Sequence, residues 1–389
     1  MISLLLAIIY MAFISLGLPD ALLGAAWPIM HMDLGVPISY AGIISLFIAA
    51  GTVVSSLMSD RMTKWFGTGK VTAISVAMTA VALFGFSTAT AYWQICLWAI
   101  PYGLGAGSVD ASLNNYVALH YASRHMSWLH CMWGVGASVG PYILGAALAG
   151  GMGWDSGYRY IGILQVLICV AVFLSLPLWK SRPDMVTEDG KPAAPLTMKQ
   201  ILAIPGAKAV LIAFFCYCAV EQTAILWSAT YLVRHVGMEE EIAASFASMY
   251  LIGLTVGRAI SGFVTYKVND TNMIRLGQGI MVLGVVIMVL PLGKFAAMAG
   301  LMLFGFGSAP IYPCVIHSTP DHFGPENSQA IIGVQMAAAY LGICVVPPVF
   351  GLIANHITVS LLPLYLAIVT GLMIVMCERF NRLTAPQNP

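Results

Sequence analysis

Twelve stretches, each of 20 or more predominantly apolar residues, follow one another along the chain. A run of that length with few charges is what a helix needs to cross a bilayer. They cover about residues 3–30, 38–59, 71–90, 92–119, 127–149, 158–179, 208–233, 243–265, 272–291, 295–317, 328–353 and 358–377. Charged residues make up 8% of the 389, against roughly a quarter in soluble domains, so lipid is the solvent for much of the surface. In lipid every backbone polar group needs an internal partner, and runs this long find one only as helices. The expected fold is an all-α membrane protein of twelve transmembrane helices. The first run, about Ile2 to Met30, is too long for a signal h-region and lacks a basic n-region, so it is read as a retained first span.

Lys180 to Ala207 is the long polar interruption, with Pro183, Asp184, Glu188, Asp189, Lys191, Pro192 and Pro195. It divides the chain into an N-terminal six-helix bundle over 1–179, a cytoplasmic linker over 180–207 and a C-terminal six-helix bundle over 208–389. With both termini in the cytoplasm, fourteen Lys and Arg fall inside and only Arg159, Arg234 and Lys294 outside, which fixes the orientation. The halves repeat each other. Span five carries Gly136-x4-Pro141-x3-Gly145 and span eleven Gly342-x4-Pro347-x3-Gly351, 206 residues on; span four carries Gly105-x-Gly107-Ser108 and span ten Gly305-x-Gly307-Ser308, 200 residues on.

Three of the sixteen acidic residues lie well inside the spans: Asp20, Asp110 and Glu221. A carboxylate at membrane depth costs roughly 2.5–3.5 kcal/mol, so it needs a reason to be there. Gly103, Gly107, Asp110 and Asn114 share one helical stripe, which lets a neighbour approach and turns the polar pair away from lipid. The bland reading is a polar knot that holds helices together. The functional reading is that Glu221, Asp110 and Asp20 take up and release a proton as their surroundings open and close. No Lys or Arg lies deep enough by span position to neutralise them. Asp20 has a second bland reading, since Gly17, Pro19 and Gly24 free backbone groups that a side chain can satisfy. His130 and His317, near span ends, are read as packed or interfacial. A flat polar ligand such as a sugar ring suits aromatic faces and amides, which nominates Trp27, Trp227, Tyr312, Asn114, Asn115, Gln222 and Gln335 as solute contacts.

Several motifs resemble the major facilitator superfamily. Ser59-Asp60-Arg61-Met62 through Gly67-x2-Lys70 is similar to its cytoplasmic loop motif, with Ser55 or Ser56 where a Gly is usual. Gly103-x-Gly105-x-Gly107-x2-Asp110-x3-Asn114, Tyr217-x3-Glu221-x5-Trp227-x3-Tyr231-Leu232 and Gly257-Arg258-x3-Gly262 resemble its fucose–galactose–glucose:proton symporter branch. So do Gly305-x-Gly307-x-Ala309-Pro310-Ile311-Tyr312-Pro313 and Ser328-x-Ala330-Ile331-Ile332-Gly333. The resemblance implies two pseudo-symmetric six-helix bundles, a cavity lined by spans one, four, seven and ten, and a latch involving Asp60, Arg61 and Arg258. The bacterial fucose permeases have a functional Asp in span one and an Asn in span five; this chain has Gly24 and Trp133 there, with Asp20 one turn earlier.

The expected function is secondary active transport of a sugar or similar small polar solute across the cytoplasmic membrane, by alternating access, as symport with protons. Sodium coupling and uniport stay open. The alternative is a proton-driven drug or metabolite exporter, because Gly136-x3-Gly140-Pro141-x3-Gly145 resembles a span-five motif of antiporters. No nucleotide loop, metal-ligand spacing or Ser/His/Asp arrangement suggests an enzyme, a cofactor or a metal. The eight cysteines read as small buried hydrophobes, and no basic cluster points to nucleic acid. The expected partners are the lipid bilayer, the solute and the coupling ion, and the expected state is a monomer.

Overall fold

The computed structural model describes residues 4–179, 195–290 and 293–384, and among them it contains helices and no β-strand. The helices are α1 Leu4–Gly17, α2 Leu22–Asp33, α3 Ala41–Phe66, α4 Thr68–Thr88, α5 Tyr92–His120, α6 Ser123–Ala149, α7 Trp154–Leu174 and α8 Leu176–Trp179. They continue with α9 Met198–Ala203, α10 Ala207–Arg234, α11 Glu240–Val264, α12 Asp270–Val289, α13 Lys294–Ser308, α14 Ile311–His317, α15 Thr319–Phe323, α16 Pro325–His356 and α17 Leu362–Thr384. Each expected span has its helix. Among the described residues, ten are long and apolar enough to cross a membrane. Spans four and eight fall short of that measure: α5 is diluted by Gln94, Asp110, Asn114 and Asn115, and in α11 the apolar part is Tyr250–Val264. Of the expected linker, 180–194 lies outside the described residues, as do Lys180, Arg182 and Lys191 of the charge count. In its remainder, Thr197 and Gln200 form a capping box that starts α9.

Three spans are interrupted beside a proline, which lacks a backbone donor, span six only near its end at Ser175. Span one breaks between α1 and α2, where Asp20 N bonds Gly17 O at 3.1 Å and Leu22 N bonds Pro19 O at 3.1 Å. Span ten breaks at Ala309-Pro310, between α13 and α14. The described residues fall into two compact units: one from within Met1–Tyr116 and Leu129–Leu196, the other from within Val117–Trp128 and Thr197–Pro389.

The duplication is visible in the packing, with a corrected offset. A Cβ on Gly51 would lie 3.1 Å from Ile100 O and 3.0 Å from Leu104 N; one on Gly253 would lie 2.6 Å from Met302 O and 3.2 Å from Phe306 N. Gly105 would meet Ser75 O at 2.8 Å and Gly307 would meet Gly277 O at 2.7 Å. In each pair the second number is the first plus 202 (51 and 253, 100 and 302, 105 and 307, 75 and 277). The offset is therefore 202 rather than the 200 read from the Gly-x-Gly-Ser match. Three glycines spaced by two, Gly103, Gly105 and Gly107, let the motif slide by one repeat. The first helix of each half obeys a related rule. Gly136 abuts Ile14 O and Gly342 abuts Phe215 O, so span one maps on span seven at 215 − 14 = 201 and span five on span eleven at 342 − 136 = 206.

At Gly105, Gly253 and Gly307 the contacts are closer than a Cβ tolerates, and at Gly51 they are tight. Gly105→Ala and Gly307→Ala should each destabilise the protein by about 1–3 kcal/mol through overpacking. Gly145→Ala, with nothing within 4 Å, should leave it unchanged. Thermal unfolding of the purified protein in detergent checks all three.

Candidate functional site

In the first unit, Asp20 sits in the break between α1 and α2, which frees its side chain from helical packing. Trp133 Nε1 of α6 donates to Asp20 Oδ2 at 2.7 Å and the Tyr102 hydroxyl of α5 donates to Oδ1 at 3.1 Å. Both donors are uncharged. The carboxylate is not spent on the backbone freed by Pro19, as its second bland reading expected. Among the described residues no Lys, Arg or His lies within 4.0 Å of it. Asp20 is itself exposed, and Gly24, four residues on, has nothing within 4 Å of where a Cβ would stand. Trp133 is brought to Asp20 because α1 and α6 touch backbone to backbone: Gly17 abuts Trp133 O, and Gly140 abuts Leu18 O.

Asp110 of α5 forms a second cluster in the same unit. Asn114 Nδ2 donates to Asp110 Oδ1 at 2.8 Å, and His130 Nε2 lies 3.0 Å from Asn114 Oδ1, so the amide is engaged at both ends. All three are buried, Asn114 completely. His130 is packed, edge-on to Phe13 at 5.4 Å between ring centres, but its partner is the polar pair and not the interface. The stripe holding Asp110 is fixed by Gly103 against Ile48 O and Gly107 against Thr52 O.

In the second unit, Glu221 of α10 accepts from the Tyr217 hydroxyl one turn earlier, and Arg258 Nη2 of α11 stands 3.4 Å from the same oxygen. The expectation that no cation reaches the inner carboxylates is overturned for Glu221. The arginine side chain is only 4% exposed and is turned onto Glu221 of α10. Tyr250, buried beside the pair, bonds Ser308 Oγ at 3.2 Å.

At the offsets set by the glycine contacts, Asp20 is equivalent to Glu221 (20 + 201), Asp110 to Tyr312 (110 + 202) and His130 to Met336 (130 + 206). The second-half pair also touches, Tyr312 hydroxyl to Met336 Sδ at 3.0 Å. One repeat thus keeps an acid–amide–imidazole cluster where the other has a phenol on a thioether, the phenol ring tilted against Phe214 at 4.7 Å and edge-on to Tyr217 at 6.0 Å.

The nominated solute contacts divide. Trp27 is 5% exposed and its indole donates to Ile38 O at 2.6 Å, which places it in the packed core. Trp227 donates to Pro347 O at 3.0 Å and lies across Gly351 and Phe350, so helix packing accounts for its ring contacts. Asn115 is buried; Gln222 and Tyr312 are half-buried on α10 and α14. Gln335 is fully buried, takes a 3.3 Å bond from Thr319 Oγ1, and has no partner for Nε2 among the described residues. Of the latch residues, Asp60 pairs with Lys64 in its own helix at 2.9 Å, Arg61 is exposed, and Arg258 is with Glu221.

The sequence and fold have relatives. The family model of the Major Facilitator Superfamily matches residues 5–347 and 211–389, and the chain belongs to that family of transporters. An uncharacterized MFS-type transporter of Yersinia pestis is 23% identical over 364 residues, covering 90% of this chain and 89% of its own. Among solved structures, the family's transporter FucP in the outward conformation matches with a TM-score of 0.81 at 13% identity, over 97% of this chain and 98% of its own. The proton:xylose symporter XylE bound to 6-bromo-6-deoxy-D-glucose matches at 0.77 and 10%, over 97% and 95%.

Removing one partner of a buried ion pair leaves an uncompensated charge, a loss of about 3 kcal/mol. Arg258→Gln should therefore destabilise the protein by about that much, and adding Glu221→Gln should restore most of it. Thermal unfolding of the two variants beside the parent decides.

Proposed function

We propose that the protein is a secondary transporter of a sugar-like small polar solute, driven by proton symport, in the cytoplasmic membrane with both termini inside. The observation that carries the proposal is the contrast at one duplicated position. The carboxylate of the second repeat, Glu221, is balanced by Arg258; that of the first, Asp20, is held by two neutral donors beside open space. An ionised carboxylate cannot be enclosed at membrane depth without a compensating charge. At Asp20, exposed in this structure, the compensation on enclosure would be a bound proton, so Asp20 is the coupling residue, Asp110 with Asn114 and His130 is the second candidate, and Glu221 is tied to Arg258. Solute specificity is supported by the amides and phenols of both units and by fold neighbours described as a fucose:proton symporter of E. coli and a proton:xylose symporter. Of the span-five glycines that suggested an exporter, Gly136 and Gly140 pack against Ile14 and Leu18 and so serve the scaffold, whereas Gly145 has nothing within 4 Å.

A thermal-shift screen of the purified protein against sugars, polyols and drug-like compounds identifies the ligand, since binding stabilises in proportion to the logarithm of ligand excess. In proteoliposomes with that ligand, Asp20→Asn should still exchange solute across the bilayer but fail to accumulate it under an imposed pH gradient. Accumulation at the parent level by Asp20→Asn would remove the assignment.

A further inference from the structure

The second unit contains a titratable cluster that neither the carboxylates nor the solute contacts use. It lies around Val117–Trp128, the stretch that joins α5 to α6 and packs within this unit. Arg124 lies 4.6 Å above the Tyr266 ring, and Trp128 meets Phe263 edge-on at 5.4 Å and covers Gly262. At the centre is Asp270, the first residue of α12. Ser123 Oγ donates to its Oδ1, and its Oδ2 lies 2.6 Å from Nδ1 of His317, the last residue of α14. The other ring nitrogen, Nε2, lies 3.0 Å from the Tyr121 carbonyl oxygen.

The chemistry of these partners dictates the state of the ring. A backbone carbonyl can only accept, and so can an ionised carboxylate. A neutral imidazole carries one N–H and can satisfy one of them, leaving a lone pair aimed at the other oxygen. Only the imidazolium donates in both directions. We infer that His317, with Asp270, Ser123 and the Tyr121 carbonyl, is a proton-binding site whose occupancy clasps Val117–Trp128 onto α12 and α14.

The other ionisable groups around the ring are few. Asp321 on α15 adds negative charge, and Cys314, one turn before His317 on α14, is close to Asp270 and Ser123. His125 meets Tyr121 edge-on at 5.8 Å, and Arg124 is turned onto Tyr266. His322 on α15 is held below the ordinary histidine range by burial, against the pull of Asp321 and Asp270, so it does not compete as a second cation. The sign follows: with the proton bound, at lower pH, both bonds are made; as pH rises the ring loses one and the clasp weakens. The stretch it holds runs directly into the helices that carry Asp110 and His130, which gives the site a route to the transport cycle.

The inference needs neither a known solute nor a coupling role for Asp20, and its test uses the full chain in detergent with no ligand. Amide hydrogen exchange of residues 117–128 is followed from about pH 5.5 to about pH 8.5, on either side of the ordinary imidazole range, and corrected for the intrinsic pH dependence of exchange. Protection should fall by about tenfold or more across that interval, the scale of a lost charge-assisted hydrogen bond. His317→Gln should be weakly protected at both ends of the range, and Ser123→Ala, which removes an untitratable contact, should keep the fall. Where His317→Gln does not fold, Asp270→Asn replaces it, and its fall should move to lower pH because the charged ring has lost its counter-charge. A flat profile in the parent, the parent's fall persisting in His317→Gln, or an unmoved midpoint in Asp270→Asn would overturn the site.

Discussion

Close approach of backbones is the constraint on which the rest depends. Lipid is as apolar as the helix faces, so burying Leu against Leu yields little, and association rests on contact area and on polar atoms that find partners. The glycines at 51, 105, 136, 253, 307 and 342 each bring a helix to within a Cβ of a neighbour's carbonyl or amide. That proximity is what lets a side chain from one helix reach a carboxylate on another. Trp133 reaches Asp20 because Gly17, Gly136 and Gly140 have already removed the space between α1 and α6. The packing motif and the polar site are one device.

Duplication then makes the two units informative about each other. The scaffold contacts recur at constant offsets, whereas the polar residues set into them have diverged. Asp20 and Glu221 share a position but differ in what balances them. Asp110 and His130 correspond by the repeat offsets to Tyr312 and Met336, a phenol and a thioether. The framework has thus been kept twice while ionisable chemistry has been concentrated unequally.

Much of this was legible in the chain and some of it was not, for a physical reason in each case. Span positions follow from apolar runs, and the breaks follow from Pro19 and Pro310. Pairs one turn apart, Asp110 with Asn114 and Tyr217 with Glu221, can be read from spacing because a helix fixes their geometry. Trp133, Tyr102 and His130 could not, since their contacts join different helices. Arg258 was misplaced because span depth says where a Cα lies, and a long guanidinium side chain can run either way along its helix. His317 reads as interfacial from its place near a span end, and only the two facing acceptors give it a different role. The solute-facing reading of Trp27 and Trp227 met the same limit, because a sequence does not reveal which carbonyl an indole will find.

The contrast between a fixed and an exchangeable counter-charge bears on how coupling can work at all. A carboxylate neutralised by a buried arginine has the same net charge in every conformation, so conformational change costs it no electrostatic work and links it to no gradient. A carboxylate whose neutral donors stabilise it only in part must either face water or hold a proton when the space beside it closes. Closure and protonation are then one thermodynamic event, and by linkage the proton's affinity and the closed state's population rise together. On the proposed assignment Asp20 is of the second kind and Glu221 of the first. On that assignment the arginine at 258 would free the second repeat from proton traffic and leave the first repeat to carry it.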